Sequence, residues 1–345
     1  MQMKRLGRTG LSVSEVSFGA LPIQRVDMDP AARILLKALD GGVNFFDTAR
    51  NYTDSEEKIG NALSGRRKEF YLATKSAKTD RDGLLSQLGT SLSLLKTDYL
   101  DLYQLHFVKE KPDPDDKEGA LSALMELKNQ GVVRHIGVTC HNVGVAHECL
   151  DLDVFDTLQF PLSYLSTPEE LALAERCRDM DVGFIAMKAM AGGLIESGAA
   201  AYAFMATLPH VVPIYGVQKE EEIEEFLRCA KEGVRLNDEL RAIIQKDRAE
   251  AAETFCRGCR YCLPCPADIP IDGANRMERF LKRSAIQSFM TDEWNEKMHR
   301  IDNCINCRAC AERCPYGLDV PNLLRRNLEF FVSFREDYFK THKSL

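Results

Sequence analysis

Eight of the chain's 12 cysteines fall in two runs. The first is Cys256, Cys259, Cys262 and Cys265 followed by Pro266; the second is Cys304, Cys307, Cys310 and Cys314 followed by Pro315. Three cysteines spaced three apart on a tight loop converge on three irons of a cubane, and in proteins with two such clusters the Cys-Pro cysteine usually completes the other one. The spacing therefore points to two [4Fe–4S] clusters. Crossed ligation assigns Cys256, Cys259, Cys262 and Cys314 to one, and Cys304, Cys307, Cys310 and Cys265 to the other. Two residues rather than three precede Cys265, which makes its reach the loosest part of the assignment. Zinc also takes CxxC pairs and is the competing reading, although four cysteines in one run with a proline after the last are unusual for a zinc ribbon. Disulfides are disfavoured in a reducing compartment. Cys140, Cys149, Cys177 and Cys229 are scattered through regular elements and read as buried, small apolar side chains.

A second constellation lies in the first third of the chain: Asp47 and Tyr52 after Phe45-Phe46, Lys75 after Leu72-Ala73-Thr74, and His106 after Leu102-Tyr103-Gln104-Leu105. Together these types make a proton-transfer device for a carbonyl. A free tyrosine hydroxyl, with a pKa near ~10, is a sluggish acid at neutral pH, and a neighbouring ammonium is expected to lower that value. Lys75 would supply the charge and Asp47 would hold Lys75. His106 would offer an imidazole N–H to the carbonyl oxygen as negative charge grows there. Taken singly each has a plain structural role: Asp47 in a turn or cap, Tyr52 at a rim, Lys75 on the surface, His106 in the core. Their joint placement at consecutive strand ends favours chemistry.

These residues need a scaffold that brings strand ends together. From about residue 16 to 230, short β-branched and aromatic runs alternate with stretches of helical period, the mark of repeated βα units. Eight strands are expected, at 16–18, 43–46, 70–73, 99–105, 135–138, 157–160, 183–187 and 211–215. Helices are expected at 30–39, 56–63, 83–95, 118–129, 168–178, 220–230 and 237–253. Eight such units, with no GxGxxG after the first strand, fit a closed (β/α)₈ TIM barrel, whose active sites lie at the C-terminal ends of the strands. Residues 3–15 suggest a small β-hairpin around Arg8-Thr9-Gly10. The expected domains are a barrel over 1–235 and a mainly helical cluster domain over 236–345. Helical segments are expected there at 275–282, 284–290 and 322–339.

Composition sets outer bounds. With 45% apolar and 28% charged residues the chain can bury a sizeable core. A net charge of −7 argues against a nucleic-acid partner. The opening Met1-Gln2-Met3-Lys4-Arg5-Leu6-Gly7 lacks the apolar region of a signal peptide, and no stretch is long and apolar enough for a spanning helix. A cytoplasmic protein without a membrane partner is expected.

The segment up to about residue 230 resembles the aldo-keto reductase superfamily. The likeness runs through Leu6-Gly7-Arg8-Thr9-Gly10-Leu11-Ser12, Phe18-Gly19, Phe46-Asp47-Thr48-Ala49 with Tyr52 and Ser55-Glu56, Thr74-Lys75, His106 and Ile136-Gly137-Val138. The resemblance implies that Asp47, Tyr52, Lys75 and His106 form the catalytic tetrad, with the tyrosine as general acid. It also implies hydride transfer between a nicotinamide cofactor, NADPH or NADH, and a small carbonyl or alcohol.

By the same resemblance the cofactor would meet Gly19, Thr139, Gln159, Met187, Lys188, Gly216, Gln218 and Lys219. Three positions depart from the family's habit. Thr139-Cys140 stands where Ser-Asn is common, and Met187-Lys188 stands where a tyrosine often stacks on the nicotinamide. After the eighth strand the arginine often used for the adenosine 2′-phosphate is lacking, with Glu221, Glu222 and Phe226 present instead and Lys219 the residue able to meet that phosphate. The long stretch between Cys265 and Cys304 looks like the α-helical type of dicluster ferredoxin domain. Its clusters would transfer electrons or serve structure. A hydride carries two electrons and a cluster moves one, so coupling them calls for a flavin or a radical-tolerant intermediate; no flavin motif is seen, although a barrel mouth can accept one without a motif. The alternative functions are an electron-transfer module serving a ferredoxin or other redox protein, with the barrel as accessory, and a redox-sensing barrel without turnover.

Overall fold

The computed structural model describes residues 1–254, 256–258, 260–283, 286–314 and 316–341. Two compact units are present, Met1–Ile244 and Gln245–Leu345. Among the described residues no helix is long and apolar enough to cross a membrane.

The first unit opens with an antiparallel hairpin, β1 (Met3–Arg5) and β2 (Ser12–Ser14). Eight parallel strands follow: β3 (Ser17–Gly19), β4 (Phe45–Asp47), β5 (Tyr71–Ser76), β6 (Leu100–Val108), β7 (Val133–Cys140), β8 (Thr157–Pro161), β9 (Gly183–Met187) and β10 (Val211–Gly216). They close into a barrel, with β10 paired to β3. This is the expected TIM barrel. The crossover helices turn one apolar stripe to the sheet; Met28–Asp40 buries Ala31, Ile34, Leu35, Ala38 and Leu39 at helical spacing. Their starts are fixed by capping: the Asp80, Asn142 and Thr167 side chains accept from the backbone N–H groups of Gly83, Val145 and Glu170. At the last of these Pro168 sits in the first turn and Glu170 completes a capping box.

The hairpin supplies the barrel floor. Its Leu6 and Val13 cluster with the buried strand residues Phe45, Ala73, Leu102, Ile185, Val212 and Ile214. Gly7 has φ of +49°, and a Cβ there would fall 2.2 Å from the Gly183 nitrogen, so this close approach needs a glycine. Lys4 Nζ donates to the carbonyls of Met205, Leu208 and Val211 at 3.2, 3.0 and 2.8 Å. Burial lowers its pKa to about 8.

Two local differences from the sequence reading matter. His106 does not end its strand: β6 runs on to Val108, with a register shift against β7 between Leu105 and Val108 and a left-handed backbone at Phe107. Bulges of this kind re-aim side chains next to sites. In the second unit the expected helix over 284–290 is a short 3₁₀ turn at Ile286–Ser288, with Ser284 and Ala285 outside the described residues. The next helix, Asp292–His299, starts where the Thr291 side chain accepts from the Trp294 N–H. Helices Ile271–Ala274, Met277–Arg283 and Val320–Thr341 enclose a core that includes Ile269, Met277, Leu281, Met298, Leu324 and Phe331.

Candidate functional site

At the mouth of the barrel Asp47 ends β4 and Lys75 lies on the neighbouring strand β5. Lys75 Nζ donates to Asp47 Oδ2 at 2.6 Å and to the Thr48 carbonyl at 2.7 Å, and both side chains are buried. The side-chain amides of Gln104 and Gln159 donate to the same carboxylate at 3.3 and 3.4 Å. Burial raises the Asp47 pKa, opposed by Lys75 and the two amides.

Tyr52 stands in the turn after β4. The Lys75 nitrogen is 5.2 Å from its ring centroid, and the His106 ring meets it edge to face at 5.7 Å. The Lys75 ammonium acts to lower the tyrosine's pKa, as expected, but burial acts more strongly in the other direction and leaves the value above that of a free phenol. His106 is driven to its neutral form, its pKa lowered to about 3 by burial and by the Lys75 charge. Its Nδ1 is buried without a hydrogen-bond partner among the described residues.

The other expected contacts divide into two groups. Gly19 pairs with Asp47 across β3 and β4, and a Cβ on it would fall 3.1 Å from the Tyr215 carbonyl oxygen. Gln159 joins the cluster through Asp47, and its buried Oε1, like that of Gln104, has no hydrogen-bond partner among the described residues. Such an acceptor fits the N–H of a carboxamide such as nicotinamide's. The Thr139 hydroxyl accepts from the Phe107 N–H at 2.7 Å and so fixes the backbone just after His106. Met187 ends β9, and Lys188 follows in a left-handed conformation. Gly216 ends β10, and beyond it the backbone N–H groups of Gln218 and Lys219 donate to Glu222 Oε2.

Sequence reasoning missed Gln104 and a second layer behind Lys75. Thr74 donates to Glu56 at 2.6 Å, and Arg50 pairs with the same buried glutamate. Gln104 was open to detection, because it lies two residues before His106 on one strand and so shares its face. A cavity of about 780 Å³ opens at His106 and is bordered by Asn51, Lys78, Phe107, Lys109 and Lys111.

In the second unit Cys262, Cys265, Cys304, Cys307 and Cys310 line one cavity with Pro264, Pro266 and Ile269. Two cysteines of the first run, Cys262 and Cys265, thus border the same cavity as three of the second. Burial raises the Cys256 pKa, and Cys314 lies near enough to contribute electrostatically. Cys259 and Pro315 lie outside the described residues. Among the described residues no three Cys, His, Asp or Glu side chains are placed to share one metal ion. A cubane does not demand that, since each thiolate binds its own iron. Cys140, Cys149, Cys177 and Cys229 are buried in the barrel, as expected of apolar cysteines.

A closed parallel barrel with an Asp–Lys–Tyr–His cluster at its mouth defines an oxidoreductase architecture, and comparison makes the assignment specific. The Aldo/keto reductase family model matches residues 15–201, and the 4Fe-4S dicluster domain model matches residues 255–319. The chain belongs to the aldo/keto reductase family and carries a C-terminal 4Fe-4S dicluster domain. The uncharacterized oxidoreductase YqkF of Bacillus subtilis is 31% identical over 211 residues, covering 56% of this chain and 67% of the relative. L-galactose dehydrogenase of Arabidopsis thaliana is 29% identical, with the same 56% and 67% coverage. Among solved structures, the holo form of aldo-keto reductase AKR11C1 from Bacillus halodurans superposes with a TM-score of 0.62 at 25% identity, covering 72% of this chain and 96% of that one. An aldo-keto reductase from Klebsiella pneumoniae in complex with NADPH gives a TM-score of 0.59 at 22% identity, covering 71% and 94%, a likeness of fold.

Proposed function

We propose that the barrel interconverts a small aldehyde or ketone and its alcohol, using Asp47, Tyr52, Lys75 and His106. The observation that carries this reading is the buried Lys75–Asp47 pair beside the Tyr52 ring and next to a neutral His106. A nicotinamide cofactor, when bound, would supply or accept the hydride. Tyr52 gives its proton to the carbonyl oxygen, and the resulting phenolate is stabilised by the nearby ammonium. Asp47 holds Lys75 through the 2.6 Å bond so that its charge stays at the tyrosine. His106 keeps one ring N–H to orient the carbonyl. Gln159, whose Oε1 has no partner among the described residues, would hold the cofactor's carboxamide. The cavity beside His106 is large enough for a substrate well beyond two or three carbons.

The cysteine unit, on this proposal, holds two [4Fe–4S] clusters in crossed ligation. Beside the second run Ile305 is 69% exposed, an apolar surface that suits electron exchange with a protein partner.

Replacing Tyr52 by Phe removes only the hydroxyl. Carbonyl reduction should fall by about 10²–10⁴, the range of general acid catalysis, while dinucleotide binding persists. Reduction that continues undiminished would place the chemistry elsewhere.

A further inference from the structure

Lys75 is carried by a barrel strand, but Tyr52 is carried by the turn between β4 and the helix Ser55–Leu63. Groups on loops are placed less precisely than groups on strands, and a reacting constellation has to be held to within about 0.5 Å. Two backbone bonds close the turn on itself: the Tyr52 N–H donates to the Ala49 carbonyl at 3.0 Å, and the Ser55 N–H donates to the Tyr52 carbonyl at 2.8 Å. The tie from turn to strand passes through Arg50 and Glu56. The Arg50 backbone N–H donates to the Lys75 carbonyl at 3.0 Å. The Arg50 guanidinium donates to the Thr53 carbonyl at 3.1 Å and pairs with Glu56 Oε2, so it holds the chain on both sides of Tyr52. The other oxygen of Glu56 accepts from the Thr74 hydroxyl at 2.6 Å. Thr74 directly precedes Lys75 on β5, where successive side chains point to opposite faces of the sheet. Glu56 therefore acts from the face of the strand opposite to Lys75. Glu56 and Thr74 are both buried.

We propose that Glu56 is a positioning residue: one carboxylate fixes the turn carrying Tyr52, through Arg50, against the strand carrying Lys75, through Thr74, and so sets the approach of the phenol to the ammonium. The proposal rests on the roles given above to Tyr52 and Lys75. A buried ion pair adds little stability over apolar residues of the same volume. Its benefit here is geometric, since a misplacement of about 1 Å can cost about 10²-fold in rate.

The test is steady-state reduction of 4-nitrobenzaldehyde by the intact, anaerobically prepared protein with NADPH and with NADH, with dinucleotide binding measured separately by fluorescence and folding of each variant checked by its melting curve. Glu56→Gln keeps an acceptor for Thr74 but removes the charge that holds Arg50. It should lower kcat by about 10²-fold and leave KM and dinucleotide affinity unchanged. Thr74→Val removes one hydroxyl, keeps the side chain's shape and leaves the ion pair; kcat should fall by about tenfold, and Thr74→Ser should recover it. In a Tyr52→Phe background Glu56→Gln should cost nothing more, because residues that act as one unit are strongly non-additive. A folded Glu56→Gln or Thr74→Val protein with parental kcat would overturn the proposal. So would a further loss, as large as in the single variant, when Glu56→Gln is added to Tyr52→Phe. Full activity in Tyr52→Phe alone would remove the general-acid reading, and this proposal with it; full activity confined to the Glu56 and Thr74 variants would leave that reading standing and remove only the positioning role.

Discussion

At the barrel mouth the charged groups are answered by protein: Lys75 by Asp47 and the Thr48 carbonyl, and Asp47 in turn by Gln104 and Gln159. In the second unit the cysteines line a cavity walled by Pro264, Pro266, Ile269 and Leu324, and their sulfurs pack against an apolar core. The first site is preorganised by hydrogen bonds that form on folding alone. The second offers soft thiolate donors in apolar surroundings, where deprotonated sulfur is costly until a metal takes it up. One protein thus brings together two kinds of site, one made by its own polar contacts and one made of thiolate donors for an inorganic cluster.

The sharpest way to break that contrast is to remove the iron. Anaerobic protein should contain eight irons and eight acid-labile sulfides per chain, two full cubanes. Chelation should then abolish the ordered structure of the second unit while the barrel keeps its own melting transition, because metal-binding free energy is folding free energy in small metal domains. Calorimetry before and after chelation checks this; zinc in place of iron and sulfide, or simultaneous loss of both units, would erase the distinction.

A narrower effect follows from crossed ligation, in which the Cys-Pro cysteine of each run completes the other run's cluster. Cys265→Ser should damage the cluster of the second run, and Cys314→Ser that of the first. Electron paramagnetic resonance of the reduced variants separates the two signals, and each run losing its own cluster as a unit would reject crossed ligation.

The smallest effect concerns the barrel's electrostatics. With a pKa lowered to about 3, His106 stays neutral in the folded protein while an unfolded histidine takes up a proton near pH ~6.5. The unfolded state therefore binds more protons below that point, and stability should fall as pH drops from about 6.5 toward 3. His106→Gln should flatten that loss. Carbonyl reduction should likewise show no histidine inflection between about pH 5 and 8. An inflection there that vanishes in the variant would mean His106 is not held neutral.

Much of this was legible in the sequence where residue type and spacing alone carry the chemistry. The cysteine rhythm, and Asp47, Lys75 and His106 after apolar β runs, are of that kind. What stayed hidden depends on the third dimension. Gly198–Met205 forms a helix whose sequence, Gly-Ala-Ala-Ala-Tyr-Ala-Phe-Met, is apolar on every side, so no amphipathic period announces it. The bulge past His106 is a change of register, which a strand's composition does not encode. The upward shift of Tyr52 turns on how completely water is excluded, and the occupation of the Gln218 and Lys219 amides turns on where one glutamate of three points.

The barrel floor has a consequence for how the chain reaches its fold. Lys4 is satisfied by Met205, Leu208 and Val211, the Arg8 N–H donates to the Asp181 carbonyl, and Gly7 packs on Gly183. Residues 4–8 therefore find their partners only after most of the barrel that follows them in the chain has been made. Such distant contacts are slow to close. Until the segment around Val211 emerges, the hairpin has no floor to seal, and ring closure of the barrel and docking of its beginning become one late event.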